Sequence, residues 1–203
     1  ELDLIDNSQR ILRLFCSFSL AQQRIIGQCV ATMVQGMMHY QAHQPHSGLP
    51  NMRAFDDYCY HVAGIVGEML TLLHCDYSSK IRHNKAQLMP LAVSFGQGLQ
   101  MTNILKDIWQ DQGRDICWLP QDIFSKYNID LQDLSKHCSN PDFLLGVREL
   151  VVIAHEHLQD ALHYTLMTPK VEQGYRNFCL WAIGMALLTL KNIHKQPDFQ
   201  HSS

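Results

Sequence analysis

The stretch QGLQMTNILKDIWQDQGRDICWLP, residues 97–120, carries polar side chains at helical spacing through otherwise apolar sequence. Within it, Gln100, Asn103, Asp107 and Asp111 follow one another at intervals of three and four, which would place them on one face of an α-helix. Two carboxylates one turn apart suit Mg²⁺, which commonly takes one or two carboxylates and completes its shell with water and substrate phosphate. The stretch therefore predicts a Mg²⁺–diphosphate site on the inner wall of a helical protein.

The ordinary alternative for two acids on one helix is a solvated face. Against it, Ile104, Leu105 and Ile108 occupy neighbouring helical positions, and a polar stripe facing a protein interior is costly unless it is paired or liganded. Lys106 and Arg114 flank the acid pair, as expected if a group with phosphate charge binds there. On spacing alone, both interpretations stay open.

Composition describes an ordinary globular chain. The 203 residues are 46% hydrophobic and 17% charged, with a formal net charge of −3. Residues 1–203 are therefore predicted to form a single domain, and no electrostatic argument favours binding of nucleic acid. The seven cysteines include no CxxC pair, which predicts reduced thiols and a cytoplasmic location. No apolar run reaches the roughly 20 residues that a membrane span needs.

Apolar residues recur at helical spacing along most of the chain without an alternating strand pattern, which predicts an all-α fold. Proline, serine and glycine between positions 44 and 50 mark the first break, and Gly113 and Pro120 bound a later connector. The predicted helices are 8–43 (one helix, or two nearly continuous ones), 51–74, 85–112, a short helix from 120, 141–167 and 171–194. Residues 75–84 and 128–140 are predicted to be mainly loops, and the tail 195–203 to be frayed.

A second pattern begins with YCYHVAGIVG, residues 58–67. A helix there would align Tyr58 with an apolar face, and small residues beside that face would let another helix or an apolar ligand approach the backbone. Ordinary tight helix packing is the plainer explanation. A tyrosine at the top of an apolar face can also relay a proton or donate a hydrogen bond to phosphate. The positions of this face are Val62, Ala63, Val66, Gly67 and Leu70.

Histidine pairs are a third candidate for chemistry. His39 and His43 are four residues apart, and His155 and His157 flank Glu156. No spacing indicates a third ligand, so these histidines are predicted to be structural or exposed rather than zinc ligands. The sequence contains no glycine-rich phosphate loop, GxSxG motif or dinucleotide-binding fingerprint.

Four stretches together resemble the squalene/phytoene synthase family. They run in the family's order, span most of residues 10–195, and are YCYHVAGIVG (58–67), QMTNILKDIWQD (100–111), DQGRDICWLPQDIFSKY (111–127) and GYRNFCLWAIGMALLTL (174–190). The resemblance implies the all-α isoprenoid-synthase fold. It also implies an enzyme that joins two prenyl diphosphates head to head, through a cyclopropyl intermediate, with Mg²⁺.

The resemblance also implies roles for particular residues. Asp107 and Asp111 match the family's second aspartate-rich motif, which holds Mg²⁺ against a diphosphate. Lys106 stands where the family usually has arginine, and it can contact phosphate as a point charge. Gln110 occupies a position that is often acidic in the family, and Arg114 falls on the flap that closes over the diphosphate.

Other matched positions concern the prenyl chain. Tyr58 matches a tyrosine implicated in ionisation and proton handling during the first half-reaction. Phe178 matches an aromatic residue that stabilises carbocations, in line with the preference of cations for ring faces. The implied substrate-binding residues are Val62, Ala63, Val66, Gly67, Leu70, Gln100, Asn103, Lys106 and Arg114.

The family also carries a first aspartate-rich motif, of the type DxxED or DxxxD, on an earlier helix. Asp3 and Asp6 have the wrong spacing and context for it. The motif is therefore expected upstream of Glu1, and the chain is expected to be the C-terminal two-thirds of the family domain, without its N-terminal helices. Residues 1–203 alone are predicted to show no turnover.

Three functions remain open. The first is squalene synthesis from farnesyl diphosphate with NADPH, which the Trp-Leu-Pro-Gln connector and the Asn-Phe-Cys element favour. The second is phytoene synthesis from geranylgeranyl diphosphate without NADPH. The third is a non-catalytic family relative that acts in assembly or interaction. Because the substrates and products of the first two are apolar, peripheral membrane contact through the mouth of the channel is also expected.

Overall fold

The structure is a computed structural model in which residues 2–42, 45–137 and 140–195 are described. These residues form ten α-helices and no β-strand, which confirms the all-α prediction. A π-helical turn, Tyr60–Gly64, joins α4 to α5, and a 3₁₀ helix, Leu131–His137, precedes α9. The helices are α1 (Leu2–Asp6), α2 (Ser8–Cys16), α3 (Leu20–Ala42), α4 (Met52–Cys59), α5 (Ile65–Tyr77), α6 (Ser79–His83), α7 (Lys85–Gln112), α8 (Gln121–Ser125), α9 (Pro141–Met167) and α10 (Gln173–Lys195).

The long helices match their predicted bounds, whereas two predicted loops contain helix. Residues 85–112 and 141–167 are helical as predicted, and residues 8–42 form two helices. The loop predictions were wrong at α6, which is anchored by the buried Ile81, and at the 3₁₀ helix, where Leu131 and Leu134 are buried three residues apart. Such short helices offer too few apolar positions for a periodic signal. His43, Cys138 and the tail from residue 196 lie outside the described residues.

Helix α7 is the central element, with α9 antiparallel to it on one side. The Trp109 and Phe143 rings meet at 6.1 Å where α7 ends and α9 begins. The Phe95 and Tyr164 rings meet at 6.1 Å toward the opposite ends of the two helices. Because the early part of each helix faces the late part of the other, polar groups at the end of α7 lie far from the end of α9.

Helix α5 and the π-helical turn pack against the other side of α7 at glycine positions. A Cβ atom added to Gly67 would lie 2.1 Å from the Ala92 carbonyl oxygen, and one added to Gly96 would lie 2.3 Å from the Ala63 carbonyl oxygen. Both neighbours are backbone atoms, which cannot swing aside. The small residues noted in the sequence therefore allow a close backbone approach between these elements.

The connector after α7 is held by the loop that precedes α4. The Leu49 backbone N–H donates to the Leu119 carbonyl at 2.8 Å, and the Gln121 N–H donates to the Leu49 carbonyl at 2.8 Å. The Cys117 N–H donates to the Pro45 carbonyl at 2.7 Å. These bonds flank position 118 on both sides, so they fix the side chain of that residue against α4.

The cysteines of the described residues are free thiols, as predicted. Cys16 is exposed, and the others are buried among the helices. Burial raises the pKa of Cys117 to about 11. A thiol with that pKa stays protonated at neutral pH and packs as a small apolar group.

Candidate active site

An apolar cavity of about 220 Å³ lies between the π-helical turn and helices α5, α7, α9 and α10. The five positions of the predicted apolar face all line it. Phe178 lines it from α10, and 59% of the Phe178 surface is exposed. The full lining is Val62, Ala63, Val66, Gly67, Leu70, Ala92, Phe95, Gly96, Leu99, Tyr164, Tyr175, Phe178, Cys179 and Ala182.

The π-helical turn helps to align the side chains of the predicted apolar face along one side of the helix. Positions four residues apart drift in one direction around an α-helix, which has 3.6 residues per turn. They drift in the other direction around a π-helix, whose turn is longer than four residues. Since the run from Tyr58 to Val66 contains both kinds of turn, the two drifts offset each other. Tyr58, Val62 and Val66 therefore follow one another nearly along a single line.

Asp107 and Asp111 lie one turn apart near the C-terminal end of α7, and both are partly buried. The Lys106 Nζ atom lies 3.4 Å from the Asp107 Oδ2 atom. Burial raises the pKa of Asp111 above its ordinary value of 3.8, the charge of Asp107 raises it further, and Arg114 opposes the rise. The two carboxylates thus repel each other within the fold, and a cation between them would relieve that repulsion.

One face of α7 connects the cavity to the acid pair. Gly96 and Leu99 line the cavity, Asn103 follows Leu99 by four residues, and Asp107 follows Asn103 by four. Side chains at this spacing lie above one another along a helix, and Asn103 is exposed. A ligand with its apolar tail in the cavity would therefore bring its other end to the carboxylates.

The remaining predicted side chains lie around this face. Gln100 is partly buried and is not among the residues that line the cavity. Arg114 is exposed at the start of the connector, close enough to Asp111 to lower its pKa. Lys106 already pairs with Asp107, so a phosphate group there would have to share its ammonium with that carboxylate.

Tyr58 lies near the end of α4 and is 6% exposed. Its ring stacks on Trp118 with centroids 4.0 Å apart, and it meets Tyr40 edge to face at 5.0 Å. Burial raises the pKa of Tyr58, and the charge of Asp111 adds to the rise. At neutral pH its hydroxyl is therefore a proton donor near the acid pair rather than a phenolate.

The acid pair suits Mg²⁺ as a partial set of ligands. Two carboxylates on one helical face are oxygen ligands of the kind that Mg²⁺ commonly takes, with water and phosphate completing the shell. Within residues 2–42, 45–137 and 140–195, no cluster of three or more His, Cys, Asp or Glu side chains could hold a metal ion. The acid pair therefore needs further oxygen ligands, and a bound diphosphate supplies such oxygens.

The histidine pairs take part in no metal cluster within the described part of the chain. His39 is exposed, and its predicted partner His43 lies outside the described residues. His157 is partly buried, and its Nδ1 lies 2.7 Å from the hydroxyl of Ser94, which donates to Asp160 Oδ2 at 2.7 Å. Burial lowers the pKa of His157, so the neutral ring is favoured and serves to join α7 to α9.

Several residues of the site were not predicted. Trp118, Tyr164 and Tyr175 face the site from the connector, α9 and α10, and each contacts partners far away in sequence. A helical signal did exist for Ala92 and Gly96, because they lie four residues apart on the same α7 face as Asn103 and Asp107. Extending the polar stripe backward along α7 would have found them.

Comparison with solved structures identifies the fold. The fold matches that of the complex of TcSQS with the ligand BPH1237, with a TM-score of 0.82 and 22% identity, over 99% of this chain and 57% of that chain. It matches squalene synthase HpnC from Alicyclobacillus acidocaldarius with a TM-score of 0.68 and 15% identity, over 86% of this chain and 64% of that chain. The fold is therefore that of the isoprenoid synthases.

Sequence comparison defines the family. The family model described as squalene/phytoene synthase matches residues 2–203. A squalene synthase from Cyberlindnera jadinii is 33% identical over 194 residues, which cover 93% of this chain and 42% of the relative. The chain belongs to the squalene/phytoene synthase family, and it spans less than half the length of that curated relative. Among the described helices, none is long and apolar enough to cross a membrane.

Proposed function

We propose that this chain forms part of a squalene synthase, which couples two farnesyl diphosphates head to head with Mg²⁺ and NADPH. The continuous α7 face that joins an apolar cavity to a pair of carboxylates carries the proposal. It offers a prenyl diphosphate a site for its apolar tail and, one to two turns beyond Asn103, a site for its charged head. Family membership supports the same substrate class.

The proposed reaction has two half-reactions. In the first, one diphosphate leaves, the two prenyl chains join, and a proton is lost as the cyclopropane closes. In the second, the remaining diphosphate leaves, the cyclopropylcarbinyl cation rearranges with breaking of a ring bond, and a hydride from NADPH adds to the open-chain cation. Asp107 and Asp111 would hold Mg²⁺, which when bound neutralises diphosphate charge and assists its departure. The family resemblance implies NADPH as the hydride donor.

The residues of this chain would act on the leaving group and on the cation. The Tyr58 hydroxyl, kept protonated by burial beside Asp111, would donate a hydrogen bond to the departing diphosphate. Phe178, which lines the cavity beside Tyr175, would present a ring face to cationic charge on the prenyl chains inside the cavity. The apolar walls of the cavity would keep water away from the cation until the second chain captures it.

The direct test is incubation of the full-length protein with farnesyl diphosphate, Mg²⁺ and NADPH, followed by product analysis. We expect squalene, and we expect a chelator of Mg²⁺ to abolish its formation. Without NADPH the reaction should stop at the cyclopropyl diphosphate, and squalene formed without a reductant would refute the assignment of NADPH. Phytoene formed from geranylgeranyl diphosphate would instead support the second function of this family.

A non-catalytic role is the second candidate. It is favoured by Lys106 and Gln110 at positions where the resemblance implies arginine and an acid. A full-length protein that makes no product from either prenyl diphosphate, yet is folded, would support this role over catalysis.

Replacing Tyr58 with phenylalanine should lower the rate of the first half-reaction by roughly 10²-fold, because the donor to the leaving diphosphate is lost. The phenylalanine ring can keep the stack on Trp118, so the melting temperature should change little. Tyr60→Phe is the matched control, since Tyr60 lies two residues along and its ring meets His61 rather than Trp118, and its pKa is raised by burial and by Glu68 rather than by Asp111. A Tyr58→Phe variant with wild-type turnover would remove Tyr58 from the mechanism.

Peripheral membrane contact is also proposed, because the product is apolar and must leave the cavity. Co-sedimentation of the full-length protein with phosphatidylcholine vesicles should show a bound fraction. Protein that stays entirely in the supernatant at high lipid concentration would exclude this contact.

A further inference from the structure

Three hydroxyl groups form a directed chain at one part of the cavity wall. The Thr71 hydroxyl donates to the Gly67 carbonyl at 2.9 Å, so it accepts from the Tyr164 hydroxyl, which lies 2.8 Å away. The Tyr164 hydroxyl oxygen in turn lies 2.7 Å from that of Tyr175, and Tyr175 is the donor of this pair. Each of the three hydroxyl protons is therefore donated to a protein oxygen atom, and none is available to a ligand in the cavity.

The Tyr175 ring is held in place from two further directions. The His74 ring stacks on it with centroids 3.6 Å apart, and the Phe178 ring lies nearly parallel to it at 6.3 Å. His74 is itself fixed, since its Nδ1 lies 2.7 Å from the Leu70 carbonyl and must donate to that oxygen. Tyr175 therefore cannot swing away without breaking a stack and a hydrogen bond.

This cluster lies at the opposite end of the cavity from the acid pair. Tyr164 meets Phe95 of α7, and Asp107 and Asp111 follow Phe95 by 12 and 16 residues. At a rise of about 1.5 Å per residue, the carboxylates lie roughly 18 and 24 Å farther along α7 than the contact with Tyr164. A prenyl diphosphate whose head group binds at the carboxylates would therefore direct its apolar tail toward Tyr164 and Tyr175.

We propose that Tyr175, clamped by His74 and Tyr164, is the wall that stops the prenyl tail and sets the longest chain that the cavity accepts. The proposal rests on the proposed function, in that the cavity holds a prenyl chain. A rigid ring at this position favours farnesyl chains and excludes the chain that is one isoprene unit longer. Tyr175 is a specificity-determining residue in this account and takes no part in bond making.

The experiment measures binding of two probes, farnesol and geranylgeraniol, to the full-length protein by calorimetry. The wild type should bind farnesol more tightly than geranylgeraniol. Tyr175→Ala should shift the ratio of the two dissociation constants in favour of geranylgeraniol by roughly tenfold or more. One methylene group in an apolar pocket already changes discrimination between two ligands by about tenfold. His74→Ala should shift the ratio in the same direction by a smaller factor. Tyr175→Phe keeps the ring and its stack on His74 but loses the hydrogen bond to Tyr164, so it should shift the ratio in the same direction by a smaller factor than Tyr175→Ala.

Trp181→Ala is the matched control on α10, because Trp181 is 74% exposed and does not line the cavity. If Tyr175→Ala does not fold, Tyr175→Leu replaces it, since leucine keeps an apolar side chain in the wall while shortening it. An unchanged ratio in folded Tyr175→Ala or Tyr175→Leu, or a wild type that binds both alcohols equally, would overturn the proposal. The experiment measures binding and not turnover, so it tests the role of Tyr175 separately from the proposed reaction. If the full-length protein does not couple prenyl diphosphates but the ratio still shifts, the proposed reaction is refuted and the role of Tyr175 is supported.

Discussion

Asp111→Asn in the full-length protein is expected to lower the proposed squalene formation by roughly 10²-fold or more, because one of the two proposed carboxylate ligands and its charge are lost while the side-chain volume is kept. Asp107→Asn should act in the same way. Product formation from farnesyl diphosphate at saturating Mg²⁺ measures the effect. A variant that keeps wild-type turnover would refute the metal assignment.

The same substitution should not destabilise the protein in the absence of metal. The pKa of Asp111 is raised in the folded state, so the folded protein binds this proton more tightly than the unfolded chain does. The contribution of protonated Asp111 to the free energy of unfolding is fully present below the ordinary pKa of 3.8. It is lost as the pH rises through the raised pKa of the folded state. Asparagine does not titrate, so the stability of the variant does not depend on the protonation of residue 111. At pH 7 the variant should melt at or above the wild-type temperature, and the difference between the two melting temperatures should vanish toward pH 4.

Asp130→Asn supplies the matched control for this prediction. Asp130 is exposed and accepts a hydrogen bond from the Gln132 backbone N–H at 3.0 Å, which an asparagine oxygen can keep. Its turnover and melting temperature should match the wild type. A large loss of stability in metal-free Asp111→Asn would mean that the carboxylate holds the fold together, contrary to the raised pKa.

The main helices were accessible from sequence because their signals are local. Periodicity fixed α7 and α9 at their observed bounds, and Gly113 and Pro120 located the connector. The helices that were missed, α6 and the 3₁₀ helix among them, are five to seven residues long, and their stability depends on one or two side chains buried against neighbouring elements. Tertiary packing decides such segments, and one sequence read alone does not display it.

The site divides in the same way. The acid pair lies on α7, and the apolar face lies on the continuous run of the π-helical turn and α5, so spacing alone brings the members of each set together. The ring stack of Tyr58 on Trp118 joins α4 to the connector, and the hydroxyl pair of Tyr164 and Tyr175 joins α9 to α10. These contacts depend on how the helices are placed against one another, which spacing within one helix does not report.

Gly67→Ala and Gly96→Ala are each expected to lower the free energy of unfolding by about 3 kcal/mol, the upper part of the usual range for overpacking. The added Cβ would lie 2.1 Å from the Ala92 oxygen or 2.3 Å from the Ala63 oxygen. Relief requires α5 and α7 to move apart along their whole contact, because both obstacles are backbone. Urea unfolding followed by circular dichroism measures the change.

Gly27→Ala is the matched control, since a Cβ added there meets nothing within 4 Å in the middle of α3. It should stabilise the protein by about 0.4–1 kcal/mol through the lower entropy of the unfolded chain. Equal stability of Gly67→Ala and Gly27→Ala would contradict the close approach. Function should respond even where the fold survives. Tyr58 is on α4, which continues through the π-helical turn into α5, so moving these elements away from α7 would also displace Tyr58 relative to Asp111. A shift of about 1 Å at a reacting centre can cost roughly 10²-fold in rate. The two glycines would therefore also set the distance between the proposed proton donor and the proposed metal-binding carboxylates.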